Sequence, residues 1–224
     1  MGAVVLGSAT RLKLPKTTVR LGPNHRPALL RSPSVIAQGH TPRSTRSYKE
    51  GRLLHLLAAD LPGYWVEQAS PGRARFVPVN GGPVIEVRER VHRRFLGHDE
   101  VAQFEVRTAV AVGLPARLQI RHTGRLRRGG VRVDVVQGDD PVRELAAVLQ
   151  RDGAFVAAVT PLDFTRFDLA RDGPEWVATV ELTAASYVSL VLPPIRTYVR
   201  LEAEQRVALV DSLSALRTVI RQES

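Results

Sequence analysis

The chain has no cysteine, one methionine (Met1) and three lysines among its 224 residues. Without cysteine there is no disulfide, no Cys-ligated zinc and no thiol nucleophile, and the composition fits a reducing compartment. No apolar run approaches the ~20 residues of a membrane span. Several chemistry-bearing motifs are also missing. These are HExxH, GxSxG, a P-loop, a GxGxxG opening a helix, and the signatures of helix-turn-helix and ribonucleoprotein readers. An enzyme is not excluded by this, because many sites assemble from distant residues.

Acidic residues are absent from one region only. Residues 1–49 hold nine of the 32 basic residues, all three lysines among them, and none of the 22 acids. The net charge of +10 therefore belongs to the front of the chain, and the other 175 residues are close to neutral with 23 arginines against 22 acids. Residues 1–46 show no sustained period and are rich in Pro, Ser, Thr, Gly and Arg. Such a segment buries too little apolar surface to offset ordering entropy, so a disordered basic leader is expected. Val4-Val5-Leu6 is too short for a signal-peptide core and no basic residue precedes it, which argues against export. The leader reads as a nucleic-acid or anionic-membrane arm, as a solvated tail, or as the product of a start assigned upstream of a natural one near Ser47.

From residue 47 onward the patterns are those of a packed body. Ser47 to Glu50 is a potential capping box, and Leu53, Leu54, Leu56, Leu57 and Leu61 follow as a helix closed by Pro62-Gly63. Strands are expected over 64–68 and 73–79 around Ser70-Pro71-Gly72, then over 84–95, 103–112, 117–123 and 131–135, as an antiparallel meander with one wet face. That face is rich in arginine (Arg88, Arg90, Arg94, Arg107, Arg117, Arg121, Arg132), interleaved with Glu86, Glu105 and Asp134, so cross-strand ion pairs are the simplest reading. His98-Asp99-Glu100 reads as a loop or cap, and Asp140 with Pro141 opens a middle helix ending at Gly153.

The stretch from Leu162 to Ile220 organises the whole. Thr165, Phe167 and Leu169 alternate with Arg166 and Asp168, with Phe164 out of step, and Asp172-Gly173 turns the chain. Trp176, Ala178, Val180 and Leu182 share a face. Residues 186–192 form a further strand, almost wholly apolar and so expected to be covered on both sides, which stops at Pro193-Pro194. Arg196, Tyr198 and Arg200 line one side of the next segment, and a solvated strand face is the simplest reading of them. A closing helix then carries Leu209, Leu213, Leu216 and Ile220 at i, i+4, i+7 and i+11.

The stretches Pro161 to Leu169 and Leu192 to Leu209 resemble an uncharacterised bacterial family, a domain of unknown function found in actinobacteria and proteobacteria. The resemblance implies a bacterial cytoplasmic protein, and it carries no activity, cofactor or catalytic residue with it.

The sequence thus predicts one α+β domain over 47–224, with an antiparallel sheet of about eight strands and three main helices, behind the leader 1–46. A non-catalytic binding or interaction module is the first functional expectation. An enzyme or small-molecule binder with a pocket between sheet and helices is the second, with Arg166, Arg196 and Arg200 as anion anchors. A nucleic-acid or anionic-membrane binder acting through the leader is the third. No residue is assigned to catalysis, a cofactor or a metal. An anionic ligand or a protein is the expected partner, and nucleic acid is disfavoured.

Overall fold

The computed structural model describes residues 48–124, 129–171 and 173–223. The expected leader, 1–46, and Ser47 lie outside the described residues. The rest forms a nine-stranded sheet with four helices, in the order α1 (Arg52–Asp60), β1 (Tyr64–Ser70), β2 (Arg73–Pro78), β3 (Ile85–Arg94), β4 (Gly97–Ala109), β5 (Ala116–Thr123), β6 (Gly130–Gln137), α2 (Asp140–Arg151), α3 (Gly153–Val159), β7 (Phe164–Arg171), β8 (Glu175–Leu190), β9 (Ile195–Val199) and α4 (Ala203–Gln222). This is the α+β antiparallel architecture that the alternating patterns predict.

Strand order departs from a simple meander. Along the sheet it runs β1-β2-β3-β4-β8-β7-β5-β6, with β9 beside β8. β4 therefore pairs not with β5 but with β8, through Thr108↔Trp176 and Phe104↔Val180. Sequence periodicity reports which face a residue occupies, not which strand lies beside it, so the insertion of β8 and β7 carries no local signal.

β8 is one strand of 16 residues where two had been expected. Its pairing with β4 steps from Gln103↔Glu181 to Val101↔Ser186, so Leu182, Thr183, Ala184 and Ala185 stand against Ala102 alone. Ala185 takes a left-handed backbone at φ 52°, a conformation disfavoured for a residue with a Cβ and typical of a bulge. The bulge bonds back to neighbouring chain, through Thr183 N–H to Asp163 O and Ser186 Oγ to Thr183 O. Before it, β8 lies between β4 and β7; after it, between β4 and β9. The later half is not covered on both sides: Tyr187, Val188 and Leu190 are only half-buried. A second bulge at Thr165 explains why Phe164 breaks its alternation. Phe164 pairs with Leu182 and Arg166 with Glu181, which returns Phe164 to the side of Phe167, with ring centroids 5.6 Å apart.

The helices cover one face. Phe76, Phe104, Phe155 and Phe167 are fully buried, with Trp176 on the same face. The stripe Leu209, Leu213, Leu216 and Ile220 packs α4 into this core, as expected. Burying each such side chain contributes about 1.5–3 kcal/mol. A fourth helix, α3, follows directly on α2, beyond the three main helices expected. Asp152 ends α2 and caps α3, its carboxylate accepting from Phe155 N–H at 2.7 Å. Asp139, not Asp140, caps α2, accepting from Val142 N–H. The cap of α1 is also displaced. Gly51, at φ 84°, opens that helix, and Glu89 of β3 supplies the carboxylate, accepting from Gly51 N–H at 2.9 Å and Leu54 N–H at 3.1 Å. A cap supplied from another strand is invisible to local sequence rules.

Gly97 marks the tightest approach in the sheet. A Cβ built there would stand 2.0 Å from the carbonyl oxygen of Ser189. Gly97→Ala should destabilise the protein by about 1–3 kcal/mol in urea unfolding. Gly153→Ala, with open space around it and a helical setting, should be neutral or slightly stabilising.

A polar groove on the helix-free face

The open face of the sheet carries the arginines predicted for it, and they meet carboxylates and amides. Arg88 lies 3.3 Å from Glu105, Arg107 reaches Glu105 and Glu175, and Arg132 pairs with Asp134. Arg88–Glu105 and Arg107–Glu175 cross between strands, whereas Arg107–Glu105 and Arg132–Asp134 join residues of one strand, so the cross-strand reading holds for part of this face. The exposed pairs among them contribute about 0–1 kcal/mol each.

Near the centre the pairing becomes a continuous string across five strands. Arg90 (β3) donates to Gln103 (β4) at 3.1 Å, and Gln103 donates to Glu181 (β8) at 3.0 Å. Arg166 (β7) lies 3.6 Å from Glu181 and donates to Asp168 at 2.7 Å. Arg117 (β5) donates to the same Asp168 oxygen at 2.9 Å. The Arg166 guanidinium is held above its ordinary pKa by the hydrogen bond to Asp168, against the opposing effect of burial.

Beside this string the β8 bulge opens a groove of about 690 Å³, lined among others by Arg94, Asp99, Arg117, Arg166, Asp168 and Glu181. These six give three positive and three negative charges. Asp168 is the one distinctive member. Its side chain is 5% exposed, Oδ2 accepts from both arginines, and Oδ1 is buried with no hydrogen-bond partner. A buried carboxylate oxygen without a donor costs about 1–3 kcal/mol or more, and buried acceptors are rarely left so.

The three arginines predicted as anion anchors are not brought together. Arg166 stands in the groove. Arg196, on β9 opposite Ser189, is exposed. Arg200 is engaged on the other side of the sheet, where Asp60 at the end of α1 gathers four donors. Tyr198 Oη donates at 2.7 Å, Arg200 Nη2 at 2.9 Å, Leu201 N–H at 3.0 Å, and Arg206 reaches the Asp60 carbonyl at 2.8 Å. The Arg-Tyr-Arg stripe is therefore not a solvated face throughout, since Tyr198 and Arg200 tie β9 and the start of α4 to α1. Between sheet and helices lie two smaller cavities, of about 160 Å³ beside Trp176, Leu145 and Ile220 and about 180 Å³ beside Leu54, Val66 and Ala74, whereas the larger polar groove lies on the opposite face.

His98, Asp99 and Glu100 are corrected from a loop to buried residues within β4. Glu100 accepts from Arg52 and His98, and Arg52 also lies 3.7 Å over the Tyr187 ring. Among the described residues no group of three or more His, Cys, Asp or Glu is placed to hold a metal ion. In the sequence Gln103 and Glu181 are ordinary polar strand positions, with no local sign that they meet Asp168 and its arginines. The one available signal was that Asp168 shares an alternating face with Arg166.

The site thus belongs to an α+β protein that carries a mixed-charge groove on the bare side of an antiparallel sheet. The chain is a member of the family described as protein of unknown function (DUF3156), whose model matches residues 59–220. That span runs from the end of α1 to the last turn of α4 and includes every strand and the whole groove. No curated protein and no solved structure matches the chain. No helix among the described residues is long and apolar enough to cross a membrane.

Asp60 has a consequence for pH. Burial pushes its carboxyl upward, but the hydrogen bonds from Tyr198, Leu201 and Arg200 outweigh this and hold it below the usual carboxylate range. Its contribution is therefore complete above the unfolded carboxylate pKa and is lost as pH falls through the lower folded value. Asp60→Asn should cost roughly 2–4 kcal/mol near neutrality, mostly through the buried Tyr198 and Leu201 donors, because Arg200 is largely exposed and screened. In urea titrations at stepped pH, the gap between wild type and variant should narrow below about pH 4.

Proposed function

We propose that this chain is a non-catalytic binding module of the bacterial cytoplasm, folded as one domain over 47–224, whose groove takes a polar ligand bearing a hydrogen-bond donor. A primary ammonium or an amide N–H fits best. One observation carries this reading: Asp168 Oδ1 is a buried acceptor, at the edge of a groove, with no donor of its own. Arg166 is the member of the predicted anion anchors that we place in this site, where it would meet an anionic end of the same ligand. The neutral balance of the lining supports a zwitterionic or neutral polar ligand over a multiply charged one.

The lining also supports binding over chemistry. Asp168 is neutralised by two arginines, Glu181 is shared by Gln103 and Arg166, and the Ser186 hydroxyl directs its proton to a backbone carbonyl. Glu181, the Ser186 hydroxyl and Asp168 Oδ2 are thus committed to structural partners. The lone pair left free on Asp168 Oδ1 belongs to a carboxylate already held by two arginines, which suits it to accept a hydrogen bond more than to take up a proton or attack. The cytoplasmic placement is supported by the lack of cysteine and by the family resemblance.

A panel of primary amines, amides, amino acids and simple carboxylates, followed by amide NMR shifts and thermal shift, tests the assignment. Donor-bearing compounds should perturb Arg117, Arg166 and Asp168, and Asp168→Asn should weaken their binding about tenfold or more while remaining folded by circular dichroism. Responses confined to carboxylates and equal in Asp168→Asn, or no response at these residues, would refute it.

A further inference from the structure

Four strands run beyond the rest of the sheet. β2 leaves β3 at Arg73↔Arg88, and β7 leaves β8 at Phe164↔Leu182. Past those points β3, β4, β8 and β9 continue together through Arg94↔Gly97, Gly97↔Leu190 and Leu190↔Ile195. The six residues of β3 beyond Arg88 make an arm of about 20 Å. On the helix side α1 and the residues before it brace it, through Arg52 to Glu100 and Tyr48 to Glu89.

The arm ends in two turns side by side, Phe95-Leu96 and Val191 to Pro194, joined by Val191 N–H to Leu96 O at 2.7 Å. Their side chains are apolar and in solvent: Phe95 is 101% exposed, Val191 73% and Leu192 69%. Ile195 and Leu96 extend the patch. Exposed apolar residues scattered singly need no explanation, but a contiguous group at one tip does.

Its charge is of one sign. Residues 91–98 and 186–201 contain no acid and four arginines. Arg94 is paired with Asp99 and Arg200 with Asp60. Arg93 and Arg196 flank the patch with no ion-pair partner among the described residues. A projecting apolar tip flanked by two uncompensated arginines has the layout of an interfacial anchor, with the ring and aliphatic groups at the acyl boundary and guanidinium groups at the anionic headgroups. Nucleic acid would be met by the arginines but would leave Phe95, Val191 and Leu192 in water. A protein partner would need a cavity matched to a projecting tip, whereas a bilayer interface conforms to it.

We propose that the paired β3–β4 and β8–β9 turns dock this protein onto an anionic lipid bilayer. This surface is built from residues of β3, β4, β8 and β9 and the turns between them, and it does not depend on the ligand assigned to the groove.

The full chain should be sedimented with vesicles of phosphatidylglycerol and phosphatidylcholine in equal parts, and with phosphatidylcholine alone. Four proteins are compared: wild type, Phe95→Ser with Leu192→Ser, Arg93→Glu with Arg196→Glu, and Asp168→Asn. The leader is identical in all, so its contribution cancels. Wild type and Asp168→Asn should partition equally onto anionic vesicles, the apolar pair should lose about tenfold, and the arginine pair should lose most of the preference for anionic lipid. Phe95→Trp should shift its emission to the blue with anionic vesicles only. Unchanged partitioning of both tip variants, or no partitioning of wild type, overturns the proposal. So does a tip-dependent self-association, or a tip-dependent retention on single-stranded RNA, without vesicle binding. Unaltered melting of the two tip variants confirms that the comparison reads docking and not folding.

Discussion

One strand sharing its ladder among three partners is the constraint on which this structure rests. β8 lies between β4 and β7 over its first half and between β4 and β9 over its second. A single straight strand cannot change neighbours in this way without a local change of path. The surplus residues at Leu182 to Ala185 and the left-handed Ala185 provide that change. The hydrogen bonds from Thr183 to Asp163 and from Ser186 to Thr183 keep the irregular backbone satisfied.

The consequences reach both faces. On the bare face Leu182 and Thr183 of the bulge line the groove together with Asp168. Along the sheet it releases the second half of β8 to form the arm with β3, β4 and β9. On the helix side β9 then leads directly to Tyr198, Arg200 and Leu201, which gather on Asp60. Groove, arm and carboxylate knot are thus three results of one rerouted strand.

Buried charge is handled differently at two carboxylates. Both Asp60 oxygens have donors, among them a backbone N–H and a phenol that hold the group ionised, so it joins elements as a structural tie. Asp168 draws two arginines to one oxygen and leaves the other without a donor. Buried charges of equal formal value are thus handled in two ways, one with both oxygens satisfied and one with an oxygen left without a donor.

The sequence by itself determined the elements and their faces. The period of two places Trp176, Ala178, Val180 and Leu182 in the core, and the period near 3.6 does the same for Leu209, Leu213, Leu216 and Ile220. These patterns are legible because alternation and helical stripes are local properties of the backbone. Only the tertiary structure decided that β8 and β7 separate β4 from β5, that Glu89 of β3 caps α1, that His98 to Glu100 lie buried in β4, and that one oxygen of Asp168 lacks a donor while both of Asp60 have one. Each of these depends on which distant segments meet. That choice is set by the packing of whole faces and by loop closure across the chain, and no residue pattern of two or four positions encodes it.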